Sequence, residues 1–140
     1  MSGEYPALLR RRALAMLGLA ERLLGEGEYD LAVLNAEYAA QLYVKQLLYR
    51  IGGEEYRGHN IRALLALLAG LLEDSGFRGQ AEGIKRFTRS NRSLLAELEE
   101  GRVRAVYGVF EYTREQAARL VEAARKLVEL LSSIEADIFG

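Results

Sequence analysis

The chain has 140 residues, half of them apolar and 28% charged, with a formal net charge of −1. That make-up fits a soluble globular domain and gives no whole-molecule charge to hold nucleic acid or a membrane surface. With no cysteine and a single histidine, disulfides, thiolate metal centres and multi-histidine sites are excluded.

No apolar run reaches the roughly 18 residues of a membrane span. The segment from Met1 to Pro6 carries no apolar signal core, and Arg10-Arg11-Arg12 interrupts the next stretch. A cytoplasmic protein is the expectation. One Pro and few β-branched clusters favour helix throughout.

The first predicted helix runs from Pro6 to Leu24. Leu9, Ala13, Met16, Leu17, Ala20 and Leu24 form its apolar face, and Pro6 suits a first turn where its missing N–H costs nothing. The second runs from Glu28 to Ile51 and carries two stripes: Leu31, Leu34, Tyr38, Leu42 and Tyr49, and beside them Ala32, Ala36, Ala39 and Tyr43. The small residues admit a close neighbour, and two stripes predict a helix packed on two sides.

A third helix covers Asn60 to Asp74, with Asn60 as its N-cap and Ile61, Leu64, Leu65, Leu68 and Leu72 on its face. A fourth covers Gln80 to Glu100. Its middle, Thr88 to Ser93, is polar and a poor helix former, so a break or kink is expected there. The stretch from Gly101 to Tyr112 is ambiguous, because Gly108 interrupts an apolar set of Val103, Ala105, Val106, Tyr107, Val109 and Phe110. The last helix opens with Thr113-Arg-Glu-Gln116, a capping box, and continues with a clean stripe from Ala117 to Ile134. The sum is an all-α, five-helix antiparallel bundle with the second and fifth helices long and central.

These features in this order resemble the HEPN family. The residues that carry the likeness are the Leu-rich first helix, the Gly25-Glu-Gly-Glu-Tyr29 turn and Ala36 to Lys45. After them come His59-Asn-Ile-x-x-Leu64-Leu65, Ala105-Val-Tyr-Gly108 and the final helix at Thr113. The resemblance implies one HEPN-like helical domain over residues 1–140, which pairs into a homodimer and binds a nucleotide or RNA. It also implies a minimal nucleotidyltransferase as partner, in a toxin–antitoxin-like pair. No cofactor is implied.

Other HEPN members resemble metal-independent endoribonucleases, with an Arg and a polar residue followed a few positions later by a His. Here Arg89-Ser90 and Arg92-Ser93 supply the start, but the His would fall within Leu94 to Ala96 or Glu97 to Glu99, and none of these is histidine. Val106, not Arg, precedes Tyr107. No catalytic residue and no metal ligand is therefore assigned.

The binding residues expected are Lys85, Arg86, Arg89 and Arg92, with His59. Lys85, Arg89 and Arg92 share a face if their helix is continuous, and such a face meets phosphates through charge-assisted bonds. The competing account is a solvated or salt-bridged face. His59, at the head of a helix, is suited to a phosphate or to acid–base work; its simpler role is a hydrogen bond to nearby backbone. Arg10, Arg11 and Arg12 fan over about 200° of a helix and cannot form one patch. Tyr38, Tyr43 and Tyr49 are expected in core or interface. Glu97, Glu99 and Glu100 are expected to form a solvated helix end. The two stripes, together with the run from Val103 to Phe110, offer more apolar surface than a small bundle needs, which is the residue-level argument for a homodimer.

Overall fold

The computed structural model describes residues 3–140. Among them are six α-helices and no strand: α1 (Glu4–Gly25), α2 (Tyr29–Gly52), α3 (Ile61–Asp74), α4 (Arg78–Ser90), α5 (Arg92–Tyr107) and α6 (Arg114–Phe139). The all-helical expectation holds, and the number of helices is corrected from five to six. The fourth predicted helix is two helices, parted at Asn91. There the backbone leaves helical geometry (φ −121°, ψ 23°), and the Asn91 side chain donates to the Phe87 carbonyl at 2.9 Å. A short amide that bonds back to the preceding turn competes with helix propagation. α5 then continues through the ambiguous stretch as far as Tyr107 and stops where Gly108 turns extended.

The caps read from the sequence are present. The Asn60 side chain accepts from the Ala63 N–H at 2.8 Å. Thr113 and Gln116 form the reciprocal capping box at the head of α6. Gly53 closes α2 in the left-handed region (φ 75°), which only glycine adopts without strain, and returns its N–H to the Tyr49 carbonyl.

α1 and α2 form a helical hairpin and pack on each other more extensively than any other pair; α2 also touches α3, α5 and α6. Alanines contribute to the close packing of both helices: Ala13 and Ala20 of α1 and Ala32, Ala36, Ala39 and Ala40 of α2 are fully buried. Deeper in, Leu47, Leu48, Leu65, Leu68, Leu72, Leu120, Leu127 and Leu131 are excluded from solvent, each stabilising the fold by about 1.5–3 kcal/mol. The expectation that α2 is covered on two full stripes is only half met. The alanine stripe is buried, but Leu31 and Tyr38 of the other are 45% and 37% exposed.

One buried carboxylate pins three helices at the far end of the hairpin. Glu135 of α6 accepts from the Tyr43 hydroxyl at 2.6 Å, from Arg10 at 3.3 Å and from Arg50 at 2.5 Å. This gives Arg10 a partner, whereas its exposed neighbours Arg11 and Arg12 make no ion pair among the described residues. No described helix is long and apolar enough to cross a membrane.

Candidate functional site

A polar seam enters the alanine face of α2. Glu37, Gln41 and Lys45 follow one another at helical spacing, and the first two are buried. The Gln41 amide donates to Glu37 Oε2 at 2.9 Å, and Gln41 Oε1 lies 2.9 Å from His59 Nδ1. With the Gln41 nitrogen committed to Glu37, its oxygen is an acceptor, so His59 Nδ1 carries the proton and neutral His59 keeps Nε2 as an acceptor. Partial desolvation, then the charges of Lys45 and Arg102, lower the His59 pKa. Burial raises the Glu37 carboxyl to about 7 against the opposing pull of Gln41, Arg102 and Lys45, with Glu99 adding to the rise.

Glu99 holds this seam in place from α5. Its carboxylate accepts from Arg62 through Nε at 2.9 Å and Nη2 at 3.0 Å, from the Arg62 backbone N–H at 2.9 Å, and from Asn60 Nδ2 at 3.0 Å. Glu99 is therefore not part of a solvated helix end. It ties α5 to the cap of α3 and fixes the segment that carries His59. His59 itself departs from expectation, since its partner is the Gln41 side chain and not local backbone.

Beside the seam lies a cavity of about 300 Å³ bounded by the head of α1, the second half of α2 and the loop after it. Lys45 and His59 line it together with Tyr5, Tyr49, Tyr56 and Arg57. Of the three tyrosines singled out on α2, Tyr43 is fully buried, Tyr49 is half-buried at this cavity and Tyr38 is at the surface.

The predicted basic face is only partly assembled. The break at Asn91 puts Arg92 on α5, so Lys85, Arg89 and Arg92 do not share one continuous helix. Lys85 is engaged by Glu73 of α3 and lies 3.8 Å from Glu82. Lys85 and Arg89 instead line a shallow groove of about 220 Å³ with Arg62, Leu65, Ile84 and Thr88. Arg86, Arg89 and Arg92 make no ion pair among the described residues. His59 is on a different segment, turned to Gln41. No group of three or more His, Asp or Glu side chains among the described residues is placed to hold a metal ion.

Glu37, Gln41, Lys45, Glu99 and Arg102 were not picked out by sequence reasoning as site residues. A signal existed for the first two: a carboxylate and an amide four residues apart inside a run of alanines, on the side of α2 that must be buried.

An all-α arrangement with a paired α1–α2 hairpin, a His-Asn cap at α3 and a capped final helix defines the class of protein. The family model for the HEPN domain matches residues 7–134, and the chain belongs to the HEPN family. Membership makes it a nucleotide- or RNA-related module in general terms. No curated protein and no solved structure matches it.

Proposed function

We propose that residues 1–140 form one non-catalytic HEPN module that binds nucleotide or RNA phosphates. In this proposal it acts as a homodimer beside a minimal nucleotidyltransferase, in a cytoplasmic toxin–antitoxin-like pair. The observation that carries the non-catalytic reading is the separation of the chain's one imidazole from its Arg-Ser pairs. His59 is bonded to Gln41, while Arg89 and Arg92 have no histidine after them. General acid–base cleavage needs a group that exchanges a proton near neutral pH, which arginine does not.

Phosphate contact is supported by Arg86, Arg89 and Arg92 around the Asn91 break, which make no ion pair among the described residues. The dimer is supported by the end of α5 and the turn after it, where Val103, Val106, Tyr107, Val109 and Phe110 are 54–89% exposed.

The test is fluorescence anisotropy with single-stranded RNA across a salt series. Wild type is expected to bind weakly and lose affinity with salt. Arg86→Ala with Arg89→Ala and Arg92→Ala should weaken binding and flatten the slope by about 0.7 per lost phosphate contact, with helical content unchanged. Cleavage of RNA by purified protein in chelator, abolished by the arginine variants, would overturn the proposal in favour of a metal-independent endoribonuclease. Absence of polyanion binding at low salt would leave only the protein-partner role. A monomeric mass in light scattering would remove the dimer.

A further inference from the structure

The walls of the cavity beside α2 divide by chemistry. Tyr5, Tyr49 and Tyr56 supply flat aromatic surface; Tyr5 and Tyr49 meet edge to face, ring centres 5.6 Å apart. Lys45, Arg57 and His59 supply hydrogen-bonding and cationic groups. Glu55 also lines the space, and its carboxylate accepts from the Tyr5 hydroxyl at 3.2 Å.

Lys45 is half-buried and has no carboxylate within 4.0 Å among the described residues. Burial is the largest influence on its ammonium group and lowers its pKa, against the opposing pull of the Glu37 and Glu55 carboxylates. An ammonium held at that cost is stabilised by an arriving anion, and more strongly than a solvated lysine because its site is partly dry. His59 adds directionality. Its Nδ1–H is committed to Gln41, so the neutral ring offers Nε2 as an acceptor for a hydroxyl or amino group. An anion, an aromatic face and a donor together describe a phosphorylated nucleoside. A volume of about 300 Å³ is at the small end of ligand sites, sized for one such unit and too small for a stretch of strand.

We propose that this cavity binds a single nucleotide, with its phosphate on Lys45 and Arg57, its base against the tyrosines and a donor group on His59. The nucleotide is taken either free or as the phosphorylated end of an RNA strand. The proposal rests on the nucleotide- and RNA-related reading of the chain, but it uses none of the arginines around Asn91, so the two sites fail independently.

The test is NMR titration and calorimetry of the full chain with the four common nucleoside monophosphates, adenosine and ribose 5-phosphate. Monophosphates are expected to bind and to show ligand-to-tyrosine ring contacts, while the analogues lacking base or phosphate bind about tenfold more weakly. Lys45→Gln and His59→Ala should each weaken binding, the lysine variant by about tenfold. If a lysine variant melts abnormally, the tyrosine ring contacts in wild type decide the matter. Competition between a 5′-phosphorylated oligonucleotide and the monophosphate identifies a strand end as ligand; its absence identifies the free nucleotide. No binding at millimolar monophosphate, or binding that ignores Lys45 and His59 and leaves the tyrosine rings undisturbed, overturns the assignment.

Discussion

Replacing Glu37 by Gln should make the protein more stable at alkaline pH and leave it nearly unchanged in acid. Glu37 is fully buried; Oε2 is bonded to Gln41, and Oε1 has no hydrogen-bond partner among the described residues. Burial raises its pKa from 4.5 to about 7. Below pH 4.5 the carboxyl is protonated in both folded and unfolded chains and contributes no difference. Between 4.5 and 7 the unfolded chain releases a proton that the folded chain keeps, so stability falls as pH rises. Above 7 both forms are ionised and the loss is complete. The interval from 4.5 to about 7, at about 1.4 kcal/mol per pH unit, amounts to about 3 kcal/mol.

Glutamine still accepts from Gln41 and cannot ionise, so it removes this slope alone. Urea denaturation of both proteins, followed by circular dichroism at pH 4 and pH 8.5, is the assay. The stability difference should grow by about 3 kcal/mol between the two pH values, or roughly 10 °C in Tm. Any fixed cost of the buried amide appears at both pH values and cancels. A difference that does not change with pH would refute the assignment of this proton to Glu37.

Three further variants test the packing around the same helices. Glu99→Gln removes the charge from the Arg62 and Asn60 contacts and should cost about 1–3 kcal/mol, with faster amide exchange at the head of α3. Gly101→Ala sets a methyl 2.5 Å from Val33 Cγ1, so overpacking of about 1–3 kcal/mol outweighs the helix preference for alanine; adding Val33→Ala should restore stability, as calorimetry can show. Gln46 is fully buried, and its amide meets no partner among the described residues. Gln46→Met should therefore raise stability by about 1–3 kcal/mol in chemical denaturation; a loss would show that the amide is satisfied after all.

What was legible in the sequence is what local chemistry determines. Thr113 with Gln116, and Asn60 before Ile61, announce helix starts because a cap needs only its own turn. The polar run at Thr88–Ser93 located the break, but not that Asn91 makes it complete, since this depends on one side chain turning back to Phe87. The continuation of α5 past Glu100 was obscured because Gly108 interrupts the apolar set that follows. Gly101, inside the helix, is a close-approach residue, and Val33 on another helix is the reason. The site was the least legible part. Lys85, Arg89 and Arg92 looked collinear only while the helix was taken as unbroken. His59 and Glu99 find their partners on other elements, at separations of 18 and 37 residues, which no periodicity encodes.

The Glu99 contact also has a mechanical meaning. α5 is a rod whose middle is bolted to the cap of α3 and whose far end carries the bare apolar surface of Val103, Val106 and Tyr107. Whatever grips that end has a lever arm of about two turns on the segment that presents His59. A partner seated there need never approach the tyrosine-lined cavity to alter how it is framed. Cutting the bolt at Glu99 would leave the grip intact but free the segment that carries His59 from it.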